Sequence, residues 1–469
     1  MAEIKYAQDL KAVKTNIPGV IVFDLPVLGD NRGWFKENWQ REKMIALGLP
    51  DFGPVQNNIS FNENRGTTRG IHGEPWDKYV SIASGKIFGA WVDLREGESF
   101  GEVFTLEMDP SKAIYIPRGV ANAFQTLEEN TVYTYLVNDH WRADATDYSF
   151  LNLADETANI QWPIPLGQAE LSEKDKNHPR LADITPVPNK KTLVVGGLGQ
   201  LGNALQAILP DAEFVDKDDF DMTDPETYRQ KNWRDYDTII NVAAYTAVDQ
   251  AEAPEGRKMA WEINAKSISY LVKVANENRI TFVHISSEYV FDGTNEIHDE
   301  NEQLSPLGVY AQTKAAGDIV ASQANKHYLV RTSWVIGEGN NFVRTMKGLA
   351  EKDVKPSVVD DQIGRLTFTK DLAEGIVHLL KTKPEYGTYN LSNTGDSVSW
   401  ADIAKIVYEK SGRSTDDVTP VSTKQYYEGK TGISPRPLQS TLKLDKIESV
   451  GFHARDWREA LDEYLKKEN

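Results

Sequence analysis

The hydrophobic period of this chain changes once, near residue 190, and that change sets its architecture. Residues 17–163 carry short alternating runs at 20–23, 79–82, 87–92, 103–108, 113–116 and 131–137, separated by Gly, Pro, Asn and Asp. Successive side chains of a strand face opposite sides, so these runs predict an antiparallel barrel or sandwich. Residues 164–190 are polar and proline-bearing, a tail followed by a linker. From Lys191 onward, apolar strand runs (193–195, 238–242, 281–285, 328–332) alternate with helical stretches (203–209, 258–277, 313–324). Strand and helix in alternation predict βαβ units on a parallel sheet. Amphipathic helices over 402–410 and 457–467 predict a smaller lobe over that sheet.

Composition excludes several functions. The chain has 469 residues, a net charge of −18 and no cysteine. Without cysteine there is no disulfide, thiol nucleophile or Cys-based metal site, as suits a reducing compartment. The acidic balance argues against nucleic acid or an anionic membrane as partner. The opening MAEIKYAQDLKAVKTNIPG lacks the apolar core of a signal peptide, and no run of 18 apolar residues occurs. A cytoplasmic protein is expected.

In the second half, TLVVGGLGQLGNAL places Gly196, Gly199 and Gly202 between a strand and a helix. Glycines there let backbone amides approach a pyrophosphate, with Gln200 and Leu201 opening the helix. After the next strand, Asp216 suits a ribose hydroxyl and NADH, whereas Lys217 suits a 2′-phosphate and NADPH. Both cofactors stay open. Further on, Ser287 and Glu288 end a strand, and Tyr310 and Lys314 stand one helical turn apart. Reducing a ketone requires a proton for the developing alkoxide. A tyrosine can give it when a lysine cation favours its anion, and a serine hydroxyl can hold the ketone oxygen.

Residues 191–469 resemble dTDP-4-dehydrorhamnose reductases, extended short-chain dehydrogenases with a Rossmann fold and a small substrate lobe. The likeness rests on GGLGQLG, INVAAYTAVDQAE, HISSEYVFDG, YAQTKAAG, VRTSWVIG, VVDDQIG and RPLQSTL. It implies Ser287, Tyr310 and Lys314 as catalytic set, Glu288 near the sugar, Ala243, Ala244 and Tyr245 along the cofactor, and Trp334 in the substrate pocket. The family more often has Thr-Asp where this chain has Ser287-Glu288. Some relatives use Mg²⁺ at an interface; no ligand for it is assigned here.

Residues 15–183 resemble dTDP-4-dehydrorhamnose 3,5-epimerases, which are β jelly-roll barrels of the cupin type. The matching segments are NRGWFKE, QNN, RGIH, IPRGVANAF, YLVND and the tail LSEKDKNHPRLAD. The resemblance implies His72 as base, Asp155 orienting it, Tyr135 as opposing acid and Lys78 as the cation stabilising an enolate. It also implies Arg32, Glu37, Gln56, Asn58 and Arg69 as holders of the dTDP moiety. Many relatives carry His where this chain has Asn122, a substrate-pocket position, and Asp where it has Gly89. No His-x-His pair occurs, so no metal is expected in the barrel.

The expected architecture is therefore multidomain, with a barrel and tail over 1–185, a linker over 186–190, and a Rossmann unit with substrate lobe over 191–469. The two resemblances imply consecutive steps on a dTDP-sugar, and the barrel type implies a homodimer formed through the N-terminal half. Two other readings stand on sequence alone. One is a reductase whose barrel only dimerises or binds nucleotide, and the other is a non-catalytic regulatory subunit.

Overall fold

The computed structural model describes residues 9–141 and 147–467. The chain divides into two compact units, Met1–Asn189 and Lys190–Asn469.

The first unit is built from two antiparallel sheets. One runs Lys11–Lys14, Ile21–Asp24, Lys112–Ile116, Lys78–Ser84, Thr131–Val137, Gln56–Asn62; the other runs Ser149–Phe150, Thr68–Gly73, Val120–Thr126, Ile87–Asp93, Val103–Met108. Val80, Ile82, Trp91, Ile114, Phe124 and Tyr133 form a shared core, as inward-facing residues of a sandwiched barrel do. Three of the longer strands go beyond the apolar runs of the sequence, Gln56–Asn62, Thr68–Gly73 and Val120–Thr126, as do the short Lys11–Lys14 and Ser149–Phe150. Val120–Thr126 is buried throughout despite Asn122, Gln125 and Thr126. Its Gln125 amide closes a two-way pairing with the Ile164 backbone, at 2.9 and 2.8 Å, so the polar group is satisfied inside. Gln56–Asn62 turns Gln56, Asn58, Ser60 and Asn62 toward the interior and exposes Asn57, Ile59 and Phe61.

The second unit carries a six-stranded parallel sheet in the order Glu213–Val215, Lys191–Val195, Tyr236–Asn241, Thr281–Ser287, His327–Thr332, Gly387–Asn390. Helices Gln200–Gln206 and Thr369–Thr382 pack on one face through Leu201, Leu205, Leu372 and Ile376. Ser267–Asn278 and Val309–Ala321 cover the other through Ile268, Leu271, Ala275 and Ala321. The single helix expected over 258–277 is instead Pro254–Trp261 and Ser267–Asn278 joined by a π-helical turn, Glu262–Lys266. Such turns recur at functional positions, and this one presents Asn264. A lobe of Phe342–Glu351, Trp400–Lys410 and Trp457–Lys467 gathers around Ile403, Val407, Trp457 and Leu461.

Candidate active sites

The parallel sheet ends in a cavity of about 790 Å³ lined by the glycine loop, Asp216, Ala243, Ala244, Ser287, Glu288, Tyr310, Lys314 and Trp334. Gly196 has φ +94, and a Cβ there would lie 2.7 Å from the Ala243 nitrogen. At Gly202 a Cβ would come within 2.4 Å of the Gly197 oxygen, so Gly202 permits helix-to-loop packing and does not itself line the cavity. This close backbone cradle fits a dinucleotide pyrophosphate. Asp216 folds against the loop, accepting from the Leu198 amide at 3.1 Å and from the Lys217 amide at 2.8 Å. Lys217 and Asp216 line an adjoining cavity of about 250 Å³ together with Ala243, Ala244 and Met259. Tyr245 is placed beside the site, its amide donating to Asn264 at 2.8 Å.

Ser287 is the last residue of Thr281–Ser287, so the strand itself aims its hydroxyl into the cavity. That hydroxyl donates to Glu288 at 2.7 Å, accepts from the Tyr289 amide at 3.2 Å and faces Tyr310 across the cavity lining. Burial pushes the Tyr310 phenol up, Glu288 adds to this, and Ser287 opposes it. Lys314 donates to the Ile285 carbonyl at 2.6 Å, and burial lowers it to about 8 against the pull of Asp318. Glu288 is raised to about 7 by burial. Trp334, at φ +44, stacks on Trp400 with centroids 3.7 Å apart, and both line the cavity.

In the first unit, a cavity of about 710 Å³ is lined by Arg69, His72, Glu74, Tyr135, Lys174 and Asp175, among others. His72 Nε2 lies 2.9 Å from Asp175 Oδ1. Burial pushes the Asp175 carboxyl up, but the hydrogen bond and charge of His72 hold it below its ordinary value. Tyr135 is raised by burial and by Glu74, with Arg69 opposing. Lys78 is buried and does not itself line the cavity; it is bonded to Glu74, which does, donates to Asn122 at 2.9 Å and lies 5.0 Å from the Tyr135 ring centroid.

Residues 190–469 match the family described as RmlD substrate binding domain, and residues 14–183 match dTDP-4-dehydrorhamnose 3,5-epimerase. A protein of Streptococcus pyogenes serotype M6 described as an RmlC homolog is 54% identical over 180 residues, which cover 37% of this chain and 90% of that protein. The dTDP-4-dehydrorhamnose reductase of Aggregatibacter actinomycetemcomitans is 32% identical over 58% of this chain and 97% of its own length. The solved reductase of Bacillus anthracis str. Ames, in complex with NADP, is 34% identical, covers 60% of this chain and 99% of its own, and superposes with a TM-score of 0.55. The chain belongs to both families, the epimerase family in its first half and the reductase family in its second.

Within the epimerase half the structure departs from several assignments. Asp155 does not orient His72. Its Oδ1 accepts from the Thr157 and Ala158 amides at 2.9 and 2.8 Å, and its Oδ2 from the Leu181 amide at 2.8 Å. That buried carboxylate is committed to the backbone, and Asp175 is the partner of His72. The signal for Asp175 lay in the tail segment LSEKD. Arg32 and Glu37 also stand outside the cavity of their own barrel. Arg32 is exposed and paired with Asp30 at 2.5 Å, and Glu37 is paired with Lys43 at 2.6 Å. Gln56 and Asn58 bond each other at 2.8 Å and do not line it either. The Gly89 position explains itself: a Cβ there would lie 2.3 Å from the Trp91 indole, which fills the space a larger residue would take.

Three groups in the reductase half escaped sequence reasoning. Trp400 comes from the distant lobe to stack on Trp334. Asn264, on the π-turn, donates to the Tyr245 carbonyl at 3.0 Å and to Thr313 at 3.1 Å, tying the loop after the strand Tyr236–Asn241 to the catalytic helix. Asp318, one turn beyond Lys314, pairs with buried Arg331 at 3.0 Å.

Proposed function

We propose that this chain is a bifunctional enzyme of dTDP-L-rhamnose formation. The barrel epimerises dTDP-4-dehydro-6-deoxy-D-glucose at C3 and C5, and the Rossmann half reduces the C4 ketone of the product. Support comes chiefly from the pairing of a His–Asp couple facing a tyrosine in one cavity with a Ser–Tyr–Lys set beside a dinucleotide cradle in the other.

The ketone at C4 acidifies the protons at C3 and C5. His72, held by Asp175, takes one, and Lys78 steadies the enolate oxygen. Tyr135 returns a proton from the opposite face, inverting the centre. In the second site the bound NADPH or NADH supplies hydride to C4. Ser287 holds the ketone oxygen, Tyr310 gives it a proton, and Lys314 stabilises the tyrosinate left behind. Gly196, Gly199, Gln200 and Leu201 would hold the pyrophosphate, Ala243 and Ala244 the nucleoside, and Trp334 the sugar. Lys217 beside Asp216 leaves room for either ribose substitution.

We place the junction at 186–190 and assign the protein to the cytoplasm, where the dinucleotide pool supplies the second site. The deciding experiment is oxidation of NADPH with dTDP-4-dehydro-6-deoxyglucose as the only sugar. Wild type oxidises NADPH and His72→Ala does not, until separate epimerase is added. If wild type also needs added epimerase, the barrel is no enzyme and only the reductase assignment stands.

A further inference from the structure

The tail of the barrel brings a second histidine to the base. His178 ends the segment Asp175-Lys-Asn-His178, and its Nε2 lies 3.8 Å from the same Asp175 oxygen that His72 approaches at 2.9 Å. The ring of His178 is 5.5 Å from that of His72, edge to face. One ligand atom from each of His72, Asp175 and His178 falls within 4.8 Å of the others, and among the described residues no other group of His, Cys, Asp or Glu is so placed. His178 is 8% exposed. Neither of its ring nitrogens has a hydrogen-bond partner of full geometry, the Leu151 backbone giving only a weak contact. A buried imidazole without partners carries a desolvation cost that the barrel would avoid with an apolar residue.

We infer that His72, Asp175 and His178 form a binding site for a divalent transition ion of the zinc class, and that its occupancy switches the epimerase half off. Two imidazoles and one carboxylate are a zinc ligand set. Ligands held about 2.0–2.2 Å from a tetrahedral ion stand about 3.3 Å apart, between the two distances measured to Asp175. The fourth coordination position would face the cavity. Charge also favours the site, since the carboxylate is already held in its ionised form by its histidine neighbour. The consequence for chemistry follows from the shared lone pair. With its Nε2–H on Asp175, neutral His72 keeps its one free lone pair on Nδ1 for the carbon-bound proton; a metal at Nε2 uses that lone pair and leaves the N–H on Nδ1, so metal and proton abstraction compete. The ligands come from residues 103 apart in sequence, which is why no short metal motif announces the site.

Cobalt(II) titration of the full-length, tag-free, chelator-treated protein tests this. Tetrahedral visible absorption bands should grow to one equivalent and be displaced by zinc. His178→Gln and, separately, Asp175→Asn should weaken binding by at least about 100-fold, since loss of outer-sphere support alone costs up to that much. Far-UV circular dichroism and the reductase turnover of each variant report that it is folded. Zinc should stop solvent-proton exchange at C3 of the sugar in wild type while leaving reduction of supplied dTDP-4-dehydro-L-rhamnose unchanged. Absence of tetrahedral bands, or bands that persist in both folded variants, overturns the site. Bands without inhibition of exchange overturn the switch.

Discussion

His72 Nε2 and Asp175 Oδ1 meet at 2.9 Å across 103 residues of sequence. The strand Thr68–Gly73 supplies the base, and a short tail helix, Glu173–Lys176, supplies the acid that holds it. Ser172 caps that helix by accepting from the Asp175 amide at 3.1 Å, which fixes the carboxylate where the ring can reach it.

Asp155 and Asp175 should therefore fail differently. Asp175→Asn leaves the fold intact and lowers epimerase kcat by roughly 10²–10⁴-fold, the usual contribution of a positioned proton-transfer group. Asp155→Ala instead strips three backbone amides of their acceptor, costing roughly 3 kcal/mol or more of stability. Urea unfolding and sugar-proton exchange, measured on both variants, separate the two. Equal loss of exchange at unchanged stability would return Asp155 to the catalytic couple.

The reductase should slow as pH rises through about 8, where Lys314 gives up the charge that supports tyrosinate. Below that pH the cation is present and the rate is full. The groups facing Lys314 are Asp318 on its own helix, which pulls its pKa up, and His284 from the neighbouring strand, whose own pKa is lowered by burial first and then by Lys314. Asp318→Asn removes the upward pull, so the fall in kcat should move to lower pH. Lys314→Arg should move it up and out of range. A pH–rate profile on preformed dTDP-4-dehydro-L-rhamnose reads both, and an unmoved profile in Asp318→Asn sinks the assignment.

Glu288 links burial to stability. Its folded value, about 7, lies above its ordinary carboxylate value of 4.5. A raised folded pKa means that stability is full below about 4.5 and is lost as pH rises through about 7, because ionising the buried acid is costly. Glu288→Gln stays neutral throughout. Between pH 5 and 8, wild type should lose roughly 2–3 kcal/mol relative to Glu288→Gln in the urea transition of the C-terminal half. Parallel curves for the two proteins would mean that Glu288 is not buried as a neutral acid.

The sequence carried the site of the second half almost whole because a Rossmann unit concentrates it. Strand ends and helix starts place Gly196, Ser287, Tyr310 and Lys314 within one cavity, and local spacing is enough to see them. Trp400 was not legible, since its stacking on Trp334 depends on how the lobe folds back. The barrel was harder. Gln56–Asn62 and Val120–Thr126 are strands with buried polar residues, satisfied by long-range partners such as Ile164 for Gln125, and so lack an apolar alternation. The same long range hid Asp175. Asp155 and Asp175 are both buried acids near the barrel, and only their partners tell them apart. A π-turn likewise leaves no trace in a helical period, so Asn264 emerged only from the fold.

The barrel should be a dimer whose partner completes each site. The edge strand Gln56–Asn62 exposes Ile59 at 70% and Phe61 at 59%, and the hairpin Val27–Asp30/Gly33–Lys36 exposes Leu28 at 56% and Phe35 at 64%. An apolar edge of this kind calls for a covering chain. Arg32 sits on that hairpin, outside its own cavity, and the expectation to test is that it serves the cavity of a second copy. Ile59→Lys with Phe61→Lys should convert a dimer to monomers in sedimentation. Arg32→Ala should keep the dimer and lower epimerase activity. Co-expressing Arg32→Ala with His72→Ala chains should restore about a quarter of wild-type activity, since random pairing gives half heterodimers and each heterodimer holds one intact site of two. A mixture no more active than its separate parents would mean that Arg32 does not serve a partner's site, and a monomeric wild type would remove the dimer altogether.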